Sequence, residues 1–150
     1  MATIVHTYNL DFQTIKKIIC KKYNIDIDTF SIDSKYEKTY ELDTNIHSVP
    51  TWMLKLSGIN KVTVLRTVCY NLNNEITVNV HNITLQNLIN FNEKTVYTGD
   101  LQKNVTDMQI IADFKVNTLV LAKKIKKYCV KSYVNKWNEK ELDKNITDFL

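Results

Sequence analysis

A period of two between apolar and polar residues runs through the middle of the chain and predicts antiparallel β-strands. Residues 62–70 place valines and a tyrosine on one face of such a strand. Residues 71–74 supply asparagine-rich turn chemistry, and residues 76–80 then resume the alternation. Two further strands are expected around residues 88–98 and 108–116. The middle of the chain is therefore expected to form a meander with short connections.

The N-terminal third of the chain combines the strand period of two with the period of a helix. Residues 3–10 predict a short strand, and Asp11 is a natural cap for the helix that follows. Residues 25–42 alternate imperfectly and predict a hairpin. The first helix is expected to bury the apolar side chains of Phe12, Ile15, Ile18, Ile19 and Tyr23.

After residue 117 the period changes to that of a helix. No proline or glycine interrupts the pattern before the C-terminus, so one long helix is expected. The order of strand, helix, several antiparallel strands and a long helix predicts an α+β fold of the helix-grip type. In this fold a curved sheet wraps around the long helix, and a cavity lies between them. The expected apolar side of that helix comprises Leu121, Ile125, Tyr128, Cys129, Ser132 and Lys136.

Length and composition favour one compact unit. The chain has 150 residues, of which 44% are hydrophobic and 24% charged, with one proline and two glycines. It contains no linker-like stretch, so residues 1–150 are expected to form a single domain. No apolar run approaches the roughly 20 residues that cross a bilayer, and no signal peptide or presequence is expected.

Catalytic and metal-binding chemistry has little support in the sequence. Two glycines cannot build a glycine-rich phosphate loop. His6, His47 and His81 lack the spacing of a zinc site, and the three cysteines are far apart. A Cys-His dyad remains an open alternative because such partners meet only in the fold. We expect no cofactor, no metal and no enzymatic activity.

A net charge of +4 makes an anionic partner plausible, whether a membrane surface, an acidic lipid or a nucleic acid. The run Lys123, Lys124, Lys126 and Lys127 fits the solvated face of a helix as well as a nucleic-acid contact. The aromatic residues mostly follow the core period rather than this basic run. We therefore expect no nucleic-acid partner.

An apolar segment follows the single proline of the chain. Buried core is one interpretation, since large apolar side chains are usually buried. As an exposed lid, a tryptophan with leucines and a lysine suits shallow insertion into a lipid interface. The segment comprises Pro50, Thr51, Trp52, Met53, Leu54, Lys55 and Leu56.

A polar column is predicted along the C-terminal helix. Lys131, Asn135 and Asn138 are spaced i, i+4 and i+7, and the column borders the apolar side. A lysine and amides in this position suit a phosphate head group. Ordinary polar residues at the edge of a helix are the alternative.

Five segments together resemble a known family. Residues 48–58 are similar to its Pro-X-Trp loop and residues 66–71 to the strand after that loop. Residues 82–97 carry its asparagine and Glu-X-X-X-Tyr pattern. Residues 21–24 resemble the basic-Tyr-Pro-Asn end of its first helix but lack the proline, and residues 131–135 carry its Lys and Asn pair. The chain thus resembles the PRELI-like (Slowmo) family of mitochondrial intermembrane-space phospholipid transfer proteins.

The resemblance implies a START-like helix-grip fold and a set of site residues. Family members bind phosphatidic acid or phosphatidylserine through positions matching Lys22, Lys131 and Asn135, to which we add Asn138. They use the loop matching residues 50–56 as a membrane-contacting lid, and they bind a small helical partner with paired cysteines. The chain departs from the family at Glu41, where a basic residue is expected, and at Asn45 and Asn138, which replace lysines.

The sequence therefore predicts a phospholipid carrier without a chemical step. It is expected to move an acidic glycerophospholipid between membranes in the mitochondrial intermembrane space, with transient membrane contact. The alternative is a degenerate helix-grip module, possibly viral or parasitic, that sequesters lipid or the twin-cysteine partner. A cytoplasmic location is the alternative compartment.

Overall fold

The computed structural model describes residues 1–43, 61–118 and 120–150. Six strands and three helices lie in these ranges. In chain order they are β1 (Ala2–Tyr8), α1 (Phe12–Lys22), β2 (Lys35–Asp43), β3 (Lys61–Asn71), β4 (Glu75–Asn82), β5 (Ile89–Asp100), β6 (Val105–Val116), α2 (Ala122–Lys136) and α3 (Glu139–Thr147).

The six strands form one antiparallel sheet in the order β1-β6-β5-β4-β3-β2. Strands β3 to β6 form the predicted meander. Strand β2 extends it at one edge by pairing with β3, and β1 joins the other edge by pairing with β6. The β3–β4 turn is tight because Asn73 and Asn74 adopt positive φ angles of 64° and 54°. Three residues separate the paired residues Asn71 and Glu75, and asparagine tolerates positive φ angles better than most residues.

Alternate side chains of each strand turn toward the helices and form the core. Ile15 and Ile19 of α1 are fully buried, as are Val64, Ile76 and Phe114 of the sheet. Burial of a large aliphatic or aromatic side chain contributes on the order of 1.5–3 kcal/mol. The alternation read from the sequence therefore corresponds to one apolar face packed beneath α1 and α2.

Helix α1 begins where the sequence predicts. The Asp11 side chain accepts a hydrogen bond from the Thr14 backbone N–H at 3.1 Å, which satisfies one of the free donors of the first turn. Gly99 of β5 lies directly beneath this helix. A Cβ at that position would stand 2.6 Å from the Phe12 Cβ, so only glycine lets helix and strand approach this closely.

The predicted hairpin over residues 25–42 is wrong. Residues 24–34 form turns, and the segment contributes one strand, β2, which pairs with β3. Local hydrogen bonds replace a strand ladder here. The Asp28 backbone N–H donates to the Asp26 carboxylate at 3.0 Å, and the Ser31 backbone N–H donates to the Ser34 hydroxyl at 2.9 Å. Short polar side chains of this kind compete with strand pairing.

The expectation of one uninterrupted C-terminal helix is also wrong. Helix α2 ends at Lys136, and α3 begins after Asn138. The Asn138 side chain accepts a hydrogen bond from the Glu141 N–H at 2.9 Å and so caps the new helix. Because asparagine is a strong N-cap, the chain breaks here without proline or glycine.

The buried side of α2 differs from the predicted one. Ile125, Cys129 and Tyr133 are buried against the sheet, whereas Leu121 and Tyr128 are 53% and 54% exposed. The i, i+4, i+8 row of these three buried residues defines the true inward direction. Leu121 precedes the helix in a left-handed backbone conformation, so it does not continue the buried row. Tyr128 is turned about 100° around the helix from its neighbour Cys129 and faces outward.

Candidate functional site

A cavity of about 190 Å³ lies between the end of α1, the inner face of the sheet and the junction of α2 with α3. Its wall combines apolar and aromatic side chains with a small number of polar and charged groups, which is the composition typical of a ligand site. The lining residues used below are Lys22, Tyr23, Glu93, Tyr133, Lys136, Trp137 and Asn145.

Lys22 brings a largely desolvated ammonium group to this cavity. It is the last residue of α1, and its Nζ donates a hydrogen bond to the side-chain oxygen of Asn145 on α3. The rings of Tyr23 and Phe149 lie 5.4 and 5.7 Å from Nζ. Burial disfavours the charged form and lowers the pKa of Lys22 from 10.5 to about 8. At neutral pH Lys22 therefore remains mostly protonated.

Asn145 holds α3 against the sheet. Its side-chain amide nitrogen donates to the Tyr97 hydroxyl at 3.0 Å and to the Tyr8 hydroxyl at 3.3 Å. The same side chain accepts from Lys22 through its oxygen. Because both ends of the amide are used, Asn145 fixes the direction of the Lys22 ammonium relative to the cavity.

Glu93 is the one carboxylate among the described residues of the lining. It lies on β5, and the Tyr133 hydroxyl of α2 donates a hydrogen bond to it. Burial raises the pKa of Glu93, and the hydrogen bond from Tyr133 opposes that rise. Burial, and then Glu93 itself, raises the pKa of Tyr133, which stays a neutral donor. This pair joins the sheet to α2 at the cavity wall.

Arg66 stands beside the cavity on β3. Its guanidinium carbon lies 4.2 Å from the centroid of the Tyr23 ring and 5.0 Å from that of Tyr40, in cation–π contacts with both. Tyr23 forms part of the cavity wall and of a neighbouring cavity of about 180 Å³, which Arg66 and Lys38 also line. The two cavities thus share an aromatic wall with cations on both sides.

The junction of the C-terminal helices completes the cavity with a cation and an unsatisfied donor. Lys136 ends α2, and its Nζ lies 5.7 Å from the Trp137 ring centroid. The Trp137 Nε1 is buried and has no acceptor at hydrogen-bond distance in the part of the chain that the structure describes, although it lies close enough to the Tyr133 hydroxyl to lower the pKa of that group. A buried donor without an acceptor costs about 1–3 kcal/mol, so an acceptor supplied by a ligand would be favourable here.

The charge balance of the cavity favours an anion. Among the described residues, Lys22 and Lys136 line the cavity with the carboxylate of Glu93, while Arg66 and the carboxylate of Asp148 lie nearby. These three cations exceed the two carboxylates even when both are ionised. No group of three or more His, Cys, Asp or Glu side chains within the described ranges is arranged to hold a metal ion. Phosphate or carboxylate oxygens are the groups that such an arrangement binds.

The structure brings one of the four predicted head-group residues to the cavity. Lys22 lines it, whereas Lys131 and Asn135 are exposed on α2 and are not among the described residues of the lining. Asn138 does not continue their column, because α2 has ended and Asn138 caps α3. The predicted lid over residues 50–56 lies outside the described residues, as does Asn45.

Glu41, the acidic residue at a position where the family carries a basic one, does not face the cavity. Its neighbours Tyr40 and Leu42 line the cavity, while Glu41 is exposed and its carboxylate lies 3.7 Å from the Lys61 Nζ. Successive residues of a strand point to opposite faces. This departure from the family pattern therefore leaves the charge of the cavity unchanged.

Sequence reasoning missed Arg66, Glu93, Lys136 and Asn145 as site residues. Two of them carried a usable signal. Arg66 occupies an inward position between Val64 and Val68, and Glu93 does so between Phe91 and Thr95. A charged residue on the buried face of a strand is costly unless it is paired or functional. Lys136 and Asn145 reach the site because the chain breaks between α2 and α3, a break that was not predicted.

Comparison with known proteins agrees with this architecture. A START superfamily protein from Mycobacterium smegmatis superposes with a TM-score of 0.51 at 14% identity, over 99% of this chain and 98% of that one. The predicted α+β helix-grip fold is thereby confirmed. No curated protein matches the sequence. The PRELI-like family profile matches residues 27–141, more than three quarters of the chain, and the protein therefore belongs to the PRELI-like family.

Proposed function

We propose that the protein binds an acidic glycerophospholipid and carries it between membranes without a chemical step. Membership of the PRELI-like family and the START-like fold both support lipid binding. The observation that carries the choice of an acidic lipid is the desolvated Lys22 ammonium. It lies in a cavity where cations outnumber carboxylates among the described lining residues. Phosphatidic acid and phosphatidylserine are the candidate ligands.

The head group is proposed to enter the cavity with its phosphate oxygens toward Lys22 and Lys136. A phosphate there gains charge-assisted hydrogen bonds, and an oxygen near the Trp137 Nε1 would satisfy that donor. Drug-sized ligands occupy sites of roughly 300–1,000 Å³. The cavity of about 190 Å³ is smaller, so it fits a head group while the acyl chains lie outside it.

Lys131 and Asn135 are proposed to meet the head group before it reaches the cavity. Both are exposed on α2, on the side turned away from the buried row. From there they contact a head group during its entry rather than in its final position. Lys131→Glu should therefore slow uptake of phosphatidic acid while the equilibrium affinity falls less than in a variant of Lys22.

The setting and partner are proposed from the family. We place the carrier in the mitochondrial intermembrane space, bound to a small twin-cysteine helical protein. Within the described ranges no helix is long and apolar enough to span a bilayer. Co-expression with such a partner should raise the yield of soluble protein and give a complex on size exclusion at micromolar concentration. Elution of two separate species would contradict this part of the proposal.

Lipid extraction followed by a transfer assay tests the function. Mass spectrometry of lipids extracted from the purified protein should find about one acidic phospholipid per chain. The protein should then move fluorescent phosphatidic acid from donor to acceptor vesicles faster than it moves phosphatidylcholine. A protein that carries lipid but transfers none is a sequestering module, and one that carries none is not a carrier.

A further inference from the structure

Two exposed apolar residues lie immediately before α2. Val120 is 70% exposed and Leu121 is 53% exposed. Leu121 also holds a left-handed backbone conformation, with φ of 63° and ψ of 17°. Glycine and asparagine adopt this conformation more readily than leucine. An apolar side chain is thus displayed at a position where neither core packing nor backbone preference accounts for it.

Lysines follow directly on the outer side of α2. Lys123, Lys124 and Lys127 are exposed. Ile125 and Cys129 fix the opposite side of the helix against the sheet. Among the described residues none of these lysines forms an ion pair, and the first turn of α2 contains no acidic residue. The positive charge here is therefore not neutralised by the fold.

Further loops lie at the end of the sheet where β6 ends and the connection to α2 begins. The 117 N–H donates to the Leu88 carbonyl at 2.8 Å, which ties the β6–α2 connection to the β4–β5 loop. Ile83, which begins that loop, is 42% exposed. Asp43 and Lys61, the described residues on either side of residues 44–60, also pair at this end. Exposed apolar residues and lysines thus share one end of the molecule.

We propose that Val120, Leu121, Lys123, Lys124 and Lys127 form a docking surface for an anionic lipid bilayer. Apolar side chains enter the interface while adjacent lysines meet lipid phosphates, the combination that defines interfacial binding. A nucleic acid would use the lysines but would leave the two exposed apolar side chains in water. The inference rests on the proposed function, because a lipid carrier has to contact the membranes it serves.

Variants of this surface separate its apolar and charged parts. Leu121→Asn removes the apolar side chain and suits the positive φ, so the fold should be at least as stable as before. Lys123→Glu with Lys127→Glu reverses charge at two exposed positions. The matched controls are Leu101→Asn and Lys103→Glu, in the β5–β6 turn at the opposite end of the sheet. Leu101 is 75% exposed and Lys103 is exposed as well.

Sedimentation with phosphatidylcholine vesicles that contain phosphatidylserine provides the readout. Leu121→Asn should weaken association about tenfold, since one large apolar side chain no longer inserts. The lysine variant should weaken it by about fivefold or more for each reversed charge, and its effect should shrink at high salt. The two controls should bind as the unaltered protein does, and thermal melting should show all variants folded.

Two outcomes would overturn the inference. Vesicle association unchanged in both sets of variants would exclude this surface from docking. Absence of vesicle binding together with salt-sensitive retention on duplex DNA would assign the lysines to nucleic acid. Failure of the proposed function looks different, because the unaltered protein would then bind vesicles through this surface yet extract no phospholipid from them.

Discussion

The Tyr133 hydroxyl on α2 donates a hydrogen bond to the Glu93 carboxylate on β5, so one polar contact joins the long helix to the sheet at the cavity wall. Both groups are removed from water, and burial raises the pKa of each. The pair therefore acts on two properties at once. It contributes to stability, and it fixes the Glu93 carboxylate in the same lining as Lys22 and Lys136.

Tyr133→Phe should destabilise the protein by about 1–3 kcal/mol, because it leaves the Glu93 carboxylate without its donor. Urea unfolding measures the change. Tyr128→Phe, on the exposed side of the same helix, is the matched control and should change the free energy of unfolding by less than about 0.5 kcal/mol. Equal effects of the two substitutions would show that the buried pair has no special contribution.

Affinity for phosphatidic acid should fall as pH rises from 7 to 9. The pKa of Lys22 lies at about 8, below its value of 10.5 in water, so the ammonium loses its proton within this window. The phosphate remains anionic throughout this range, so the loss of attraction comes from the lysine. Binding titrations across the range provide the measurement.

Lys22→Arg supplies the control for this pH dependence, because a guanidinium stays protonated up to pH 12. Its affinity should be nearly flat between pH 7 and 9, whatever its absolute value. A decline as steep as that of the unaltered protein would assign the titration to another group.

Arg66→Met should destabilise the aromatic wall that the two cavities share, because it removes the cation–π contacts of Arg66. The guanidinium contacts the rings of both Tyr23 and Tyr40, and each such contact contributes about 0.5–1 kcal/mol or more when partly desolvated. We expect a loss of about 1–2 kcal/mol in the free energy of unfolding and weaker binding of acidic lipid. Lys38→Met, which removes a cation from the same neighbouring cavity, should leave stability nearly unchanged.

The alternation of β3 and β4 and the Asp11 cap of α1 were readable because each depends on residues close in sequence. The break at Asn138 was readable too. Asn138 and Glu141 have the spacing of an N-cap with an acidic residue three positions later, a signal that the absence of proline and glycine obscured.

The contacts between the site residues could not be predicted, for a different reason. Tyr133 and Glu93 lie 40 residues apart and Lys22 and Asn145 lie 123 apart, so their pairing exists only in the fold. The sequence marks Arg66 and Glu93 as charges on buried faces, but it does not indicate which groups surround them. Lys22 was found through the family resemblance rather than through spacing.

The predicted membrane-contacting lid over residues 50–56 can be tested by substitution. Replacing Trp52 and Leu54 with Ser should slow transfer between vesicles and reduce liposome association, while the melting temperature barely moves. The reason is that an amphipathic tryptophan and a leucine contribute to interfacial binding when exposed. Leu101→Ser is the control for a lost exposed leucine. A melting temperature lowered by many degrees would instead assign the segment to the core.

The affinity of the Lys22→Gln variant for phosphatidic acid tests whether Lys22 binds the head-group phosphate. Glutamine keeps a polar side chain near Asn145 but removes the charge, and a charge-assisted hydrogen bond contributes about 1.5–3 kcal/mol. We expect at least a tenfold loss of affinity with unchanged binding of phosphatidylcholine, while Lys103→Gln binds as the unaltered protein does. Phosphatidic acid bound equally well by Lys22→Gln would contradict the assignment of this cavity as the head-group site.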